Sequence, residues 1–256
     1  TRHDPSNPVR IEDGKPLLKP VLAVTDFENR AGFQGQWKLG EGMAELLMSA
    51  LMESDRVVVL ERKNIDDVVG EIARQGQALF RSEGRVQRGR LMNAQYLVRG
   101  VVTDFTIIQD GSGWFGIPHF FLFGSGSKAR VALNVYVVDV TSGRVLVSVK
   151  TEGTASSGGA GAKIDYKTVS FGGDSFFRTP LGKATEGALQ ESVKSILDGI
   201  PDQPWQPMVA EIDGPALVVN GGSNVLMQAG REFVVRGAPR EVTDPLTGNP
   251  IEHVAG

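Results

Sequence analysis

The chain has 256 residues, 41% of them hydrophobic, a formal net charge of −3 and no cysteine. That is enough apolar material for one large domain or two small ones. It excludes disulfides and thiolate metal sites, and the lack of a basic block argues against a nucleic-acid partner. The three histidines, His3, His119 and His253, are scattered, so neither a histidine metal site nor a Ser–His–Asp set is expected. No run of about 18 apolar residues offers a membrane helix. The chain opens at Thr1 without methionine or signal peptide. It reads as a processed or truncated form, with any lipidated cysteine upstream.

Residues 1–20 hold Pro5, Pro8, Pro16 and Pro20 among polar neighbours and read as an extended tether. Residues 21–27 are a short buried strand, followed by a turn over 29–32. Between 42 and 52, Met43, Leu46, Leu47, Ala50 and Leu51 recur at helical spacing. Residues 56–60 are β-branched and short, hence a strand. In 64–75, Ile65, Val68, Val69 and Ile72 share one face of a second helix, with Asn64 as its N-cap. Residues 82–92 are polar and arginine-rich. Strands are expected over 96–102, continuing into 103–108, over 128–140, and after a turn at 141–144 over 145–150. A third helix covers 183–197, with Ala184, Ala188, Val193, Ile196 and Leu197 inward. This alternation predicts an α/β layer structure. Residues 202–207 read as a proline-rich linker. Residues 208–256 read as a small β domain with strands at 216–219 and 232–235 and turns at 220–223 and 244–248.

The ordered pieces resemble the CsgG family, the curli-export lipoproteins of the outer membrane. They are Ala-Val-Thr-Asp-Phe at 23–27 with Arg30, Ala31 and Gly32; the apolar helix at 43–51; Val-Leu-Glu-Arg at 59–62; Ala-Gln-Tyr-Leu-Val-Arg-Gly at 94–100; and Leu-Asn-Val-Tyr-Val-Val-Asp-Val-Thr-Ser-Gly at 133–143. The resemblance covers about 21–200. Residues 220–248 also resemble the small β domain that ends flagellar assembly protein T. The best known curli exporter lacks such a domain, so this chain resembles a divergent branch, for example a holdfast-anchoring or other adhesin-exporting lipoprotein.

The resemblance implies a periplasmic α/β domain whose two β-hairpins join a multi-subunit transmembrane β-barrel. The matching stretches, about 103–131 and 149–178, each have the length for two tilted membrane strands of about 9–11 residues. Glycines cluster in both stretches. In the first, Trp114, Phe115, Phe120, Phe121 and Phe123 are candidate membrane-boundary aromatics, and in the second Phe171, Phe176 and Phe177. Thr151, Gly153, Ala155 and Ser157 would give the second hairpin a small-residue face toward lipid. Four strands cannot close a barrel, and open edges in lipid leave amides unpaired, so a homo-oligomeric ring is required. The resemblance implies about nine subunits and hence about 36 strands.

In the family the loop after the first strand lines the channel constriction. Here that loop is 28–39, shorter than in the curli exporter. By position its candidates are Phe33, Gln34, Gln36 and Trp37. Aromatic rings could grip an unfolded chain and amides could hydrogen-bond its backbone. The alternative is that Phe33 and Trp37 pack against a neighbouring subunit. Asp66 and Asp67 diverge on their helix. The Gly-Ser-Gly runs at 111–113 and 124–126 lack the setting of a phosphate loop. Arg81, Arg85, Arg88 and Arg90 read as a solvated face.

The function expected is therefore export of an unfolded secreted protein through a lipid-anchored outer-membrane channel. Outer-membrane lipid and accessory periplasmic or surface proteins are its other partners, and no cofactor, metal or enzymatic activity is expected. The alternative is a periplasmic lipoprotein binding module that activates or scaffolds a partner without a pore.

Overall fold

The structure is a computed structural model and describes residues 7–75, 77, 91–108, 128–156, 166–237, 240–243 and 250–254. The chain divides into two compact units, Thr1–Trp205 and Gln206–Gly256.

The first unit begins with a hairpin, β1 (Val9–Glu12) and β2 (Lys15–Leu18), in place of the expected tether. Asp13 and Gly14 join the strands, both at positive φ (49° and 71°). This is the two-residue turn whose twist matches a β-hairpin. Val9 and Leu17 are buried.

Next come β3 (Val21–Val24), the short β4 (Glu28–Asn29), α1 (Leu39–Glu53), β5 (Val58–Leu60) and α2 (Ile65–Gln75). Three long segments follow: β6 (Tyr96–Ile108), β7 (Lys128–Asp139) and β8 (Val145–Ser156). A 3-10 turn at Tyr166–Thr168 and the short α3 (Asp174–Phe177) lead into α4 (Pro180–Gly199). Thr179 caps α4 by accepting the amide of Gly182 (3.0 Å), and Pro180 occupies the first turn, where a missing N–H is harmless. The unit closes with β9 (Gln203–Pro204), which pairs with β2.

The main sheet has the order β5-β3-β6-β7-β8, and β4 lies beside β6 beyond the end of β3. Strands β5, β3 and β6 are parallel, and β6, β7 and β8 antiparallel. Side chains alternate across a pleated strand. On β7, Val131, Leu133, Val135 and Val137 are fully buried on one face. The same core holds Met43, Leu47 and Leu51 of α1 and Leu181, Ala184, Ala188 and Ile196 of α4. The opposite face carries Arg130, Asn134 and Tyr136, all half-buried. The unit is thus a two-layer α/β structure.

Among the described residues, α2 buries none of its own, and Val68 and Val69 are exposed. Asn64, expected as its cap, donates its own amide to Glu61 (3.0 Å).

The turn between β7 and β8 is pinned by Asp139, whose carboxylate accepts the backbone N–H of Ser142 (2.7 Å) and its hydroxyl (3.0 Å). Those bonds, the backbone one foremost, hold the Asp139 carboxyl below its ordinary range. A carboxyl depressed on folding contributes stability that is fully present above its unfolded pKa and is lost as pH falls through its folded value. Asp139→Asn should therefore lower the urea midpoint slightly at neutral pH, and the difference from wild type should close as the pH falls below the ordinary carboxylate range.

In the second unit, β10 (Val209–Asp213) and β11 (Ala216–Val219) form a hairpin around Gly214, and β12 (Arg240–Thr243) pairs with β13 (Pro250–Val254). The strand expected over 232–235 is absent: Phe233, Val234 and Val235 are irregular and exposed.

Candidate functional site at the free end of the long strands

Strands β6, β7 and β8 run in one ladder to a common end, where Ile108 pairs with Lys128 and Lys128 with Ser156. Segments 109–127 and 157–165, which these strands enter or leave, therefore start from the same end of the sheet. Trp114, Phe115, Phe120, Phe121 and Phe123 lie outside the described residues, as do Arg81, Arg85, Arg88 and Arg90. On the polar face near this end, Arg130 bridges Glu152 (2.7 Å) and Asp104 (3.6 Å) across three strands.

The loop after β4 lies along β6 toward the same end. The amide of Arg30 donates to the carbonyl of Val102 (2.9 Å), and Gly32 turns the chain at φ +71°. Phe33 packs edge-on against Phe105 of β6 (5.2 Å between ring centres) and stacks on Trp37 (5.7 Å). Trp37 touches Tyr166, Phe171 and Phe176 at 5.8, 5.6 and 5.5 Å, and its indole N–H donates to the carbonyl of Val169 (2.9 Å). Gln36 donates from Nε2 to the carbonyl of Tyr166 (2.5 Å). Gly35 sits over the Phe33 ring so closely that a Cβ there would fall 2.2 Å from it.

The four loop candidates thus divide. Gln34 and Gln36 are exposed, whereas Phe33 and Trp37 are half-buried in their own subunit's core. Within the single chain these two rings pack on their own core, and each keeps part of its surface exposed.

A correction concerns 149–178. Among the described residues, the part to Ser156 is strand, and from Tyr166 onward the chain is helical turns folded onto α1 and α4. Phe176 is fully buried, and Phe171 and Phe177 are half-buried against it, at 4.7 and 5.4 Å. In the single chain these three aromatics belong to the core. Gly42 of α1 makes room for the Phe171 ring, which would lie 2.5 Å from a Cβ at that position.

The small face of β8 also points to the core. Thr151 is fully buried, its hydroxyl 2.7 Å from that of Ser192 on α4, and Gly153 is buried directly under α4. Small residues stand there because a helix backbone crosses them. Sequence reasoning missed Val169 and Tyr166, whose carbonyls hold the loop.

The family described as "Curli production assembly/transport component CsgG" has a sequence model that matches residues 10–217. The chain belongs to this family. A Neisseria meningitidis serogroup B protein named "Putative lipoprotein NMB1126/NMB1164" is 28% identical over an alignment of 201 residues that covers 74% of this chain and 80% of that one. Among solved structures, the hypothetical protein CT253 of Chlamydia trachomatis matches 71% of this chain and 97% of its own at 16% identity, with a TM-score of 0.47. Lipoprotein GNA1162 of Neisseria meningitidis matches 56% of this chain and 88% of its own at 16% identity, with a TM-score of 0.33.

Proposed function

We propose that this CsgG-family chain is a non-enzymatic subunit of an oligomeric outer-membrane channel that passes unfolded protein out of the periplasm. The observation that carries the reading is the flush end of β6, β7 and β8. Two segments leaving one end of one rigid sheet can reach a bilayer together. A barrel built from several subunits needs that arrangement, because every strand edge in lipid must be paired. We carry over a lipid anchor from the meningococcal relative, whose name says lipoprotein, and a periplasmic place for the α/β unit from the family's role in curli assembly and transport. The exported cargo in this reading is a curli-like fibre subunit or surface adhesin.

The reading has a physical consequence. Only nine residues, 157–165, separate β8 from the helical turns at Tyr166. Two membrane strands need about 18–22. A complete second hairpin therefore requires Tyr166–Phe177 to leave the core. Fully burying a phenylalanine is worth about 1.5–3 kcal/mol, so exposing Phe176 and the half-buried Phe171 would cost roughly 2–5 kcal/mol, to be offset by strand pairing and lipid contact.

The same nine-residue interval favours a second reading, a periplasmic lipoprotein that binds a partner and makes no pore. Electron microscopy of the full-length lipidated protein extracted in detergent separates the two. Rings with a central hole are expected, and a strictly monomeric, fully soluble species would overturn the channel.

A further inference from the structure

Resting on the channel reading, we infer that the loop after β4 and the Tyr166–Phe177 segment form one mechanical device, in which withdrawal of the segment releases half of the loop. The contacts divide the loop unevenly. Its first half is tied to the sheet: Arg30 holds the backbone of Val102, and Phe33 lies on Phe105. Its second half is tied to the segment: Gln36 donates to Tyr166, the Trp37 indole donates to Val169, and the Trp37 ring leans on Tyr166, Phe171 and Phe176.

When the segment leaves, Trp37 keeps only Phe33 and Phe105 among these rings (5.7 and 6.3 Å) and loses its indole acceptor. Gln36 loses its acceptor as well. The Phe33 half stays in place while Gln36 and Trp37 swing free, so the exposed amides of the loop acquire a new position only in a chain whose second segment has moved. The loop would then be set in a soluble subunit and reset in an assembled one.

The test uses Trp37 as a reporter. The chain has three tryptophans, and W114F/W205F leaves Trp37 alone. In soluble protein Trp37 should resist acrylamide quenching. In rings it should become accessible, with quenching raised about twofold or more as its packing partners depart. Rings with unchanged Trp37 quenching would overturn the coupling, while failure to form rings would count against the channel alone. The coupling is also read in the soluble chain. F171A in the same background loosens the segment and should raise Trp37 quenching with far-UV circular dichroism retained. Unchanged quenching there refutes the device whatever the oligomeric state. Should F171A lose its circular dichroism, Y166A, which removes a contact at the segment's edge, takes its place with the same two outcomes.

Discussion

Replacing Gly153 by valine is expected to destabilise the α/β unit by about 3 kcal/mol or more. A Cβ at Gly153 would lie 1.8 Å from the carbonyl oxygen of Ala184 and 2.7 Å from the amide nitrogen of Ala188, both backbone atoms of α4. No rotamer change relieves a clash with helix backbone, so α4 would have to lift from β8. Lifting it would part the Thr151–Ser192 hydroxyl pair and loosen the packing of Ala184 and Ala188. For a unit of this size the melting temperature should fall by about 10 °C, read by circular dichroism. Gly187 supplies the contrast. It faces the same contact from the helix side, but its Cβ would meet only Gly153 Cα, at an ordinary 3.6 Å. Gly187→Ala should therefore be neutral or gain up to about 1 kcal/mol from helix propensity. A Gly153→Val protein that melts like wild type would mean that the small face of β8 is not covered by α4.

The long strands and amphipathic helices were legible because their periodicity is local. The alternation from Val131 to Val137 and the spacing of Met43, Leu47 and Leu51 are each decided within a dozen residues. The Asp-Gly signal at Asp13 and Gly14 was also local, but four prolines nearby argued for a tether. Pro16 is nonetheless accommodated within β2, opposite Ile11. The aromatics of 171–177 could not be assigned in the same way. A phenylalanine run satisfies a membrane boundary and a buried cluster equally, and what decides between them is Trp37, more than 130 residues away in sequence. The Trp37 hydrogen bond to Val169 spans 132 residues, and the Gln36 bond to Tyr166 spans 130. Likewise, Thr151 and Gly153 are small for lipid or small for a helix, and only the position of α4 distinguishes the two.

Replacing Phe33 and Trp37 together by alanine is expected to weaken the fold and not to widen a channel. Fully buried aromatics lose about 3–5 kcal/mol on truncation to alanine. These two are half-buried, and because they stack on each other their losses will not simply add. A combined loss of about 3–4 kcal/mol follows, with thermal unfolding as its measure. Trp37 contributes the larger share, since its removal opens the cluster around Phe171 and Phe176 and leaves the carbonyl of Val169 without its indole donor. The exposed amides should behave in the opposite way. Gln34→Ala should leave stability within about 0.5 kcal/mol, as surface substitutions usually do. Gln36→Ala should do nearly the same, since its bond to Tyr166 is solvent-exposed. If the loop faces a pore, these two should alter single-channel conductance in planar bilayers, because a ring repeats each change in every subunit. A double aromatic variant with unchanged melting and raised conductance would return Phe33 and Trp37 to the channel wall. Lowered melting with conductance responding only at Gln34 and Gln36 would make the amides the surface a passing chain meets and the aromatics the mount that holds them there.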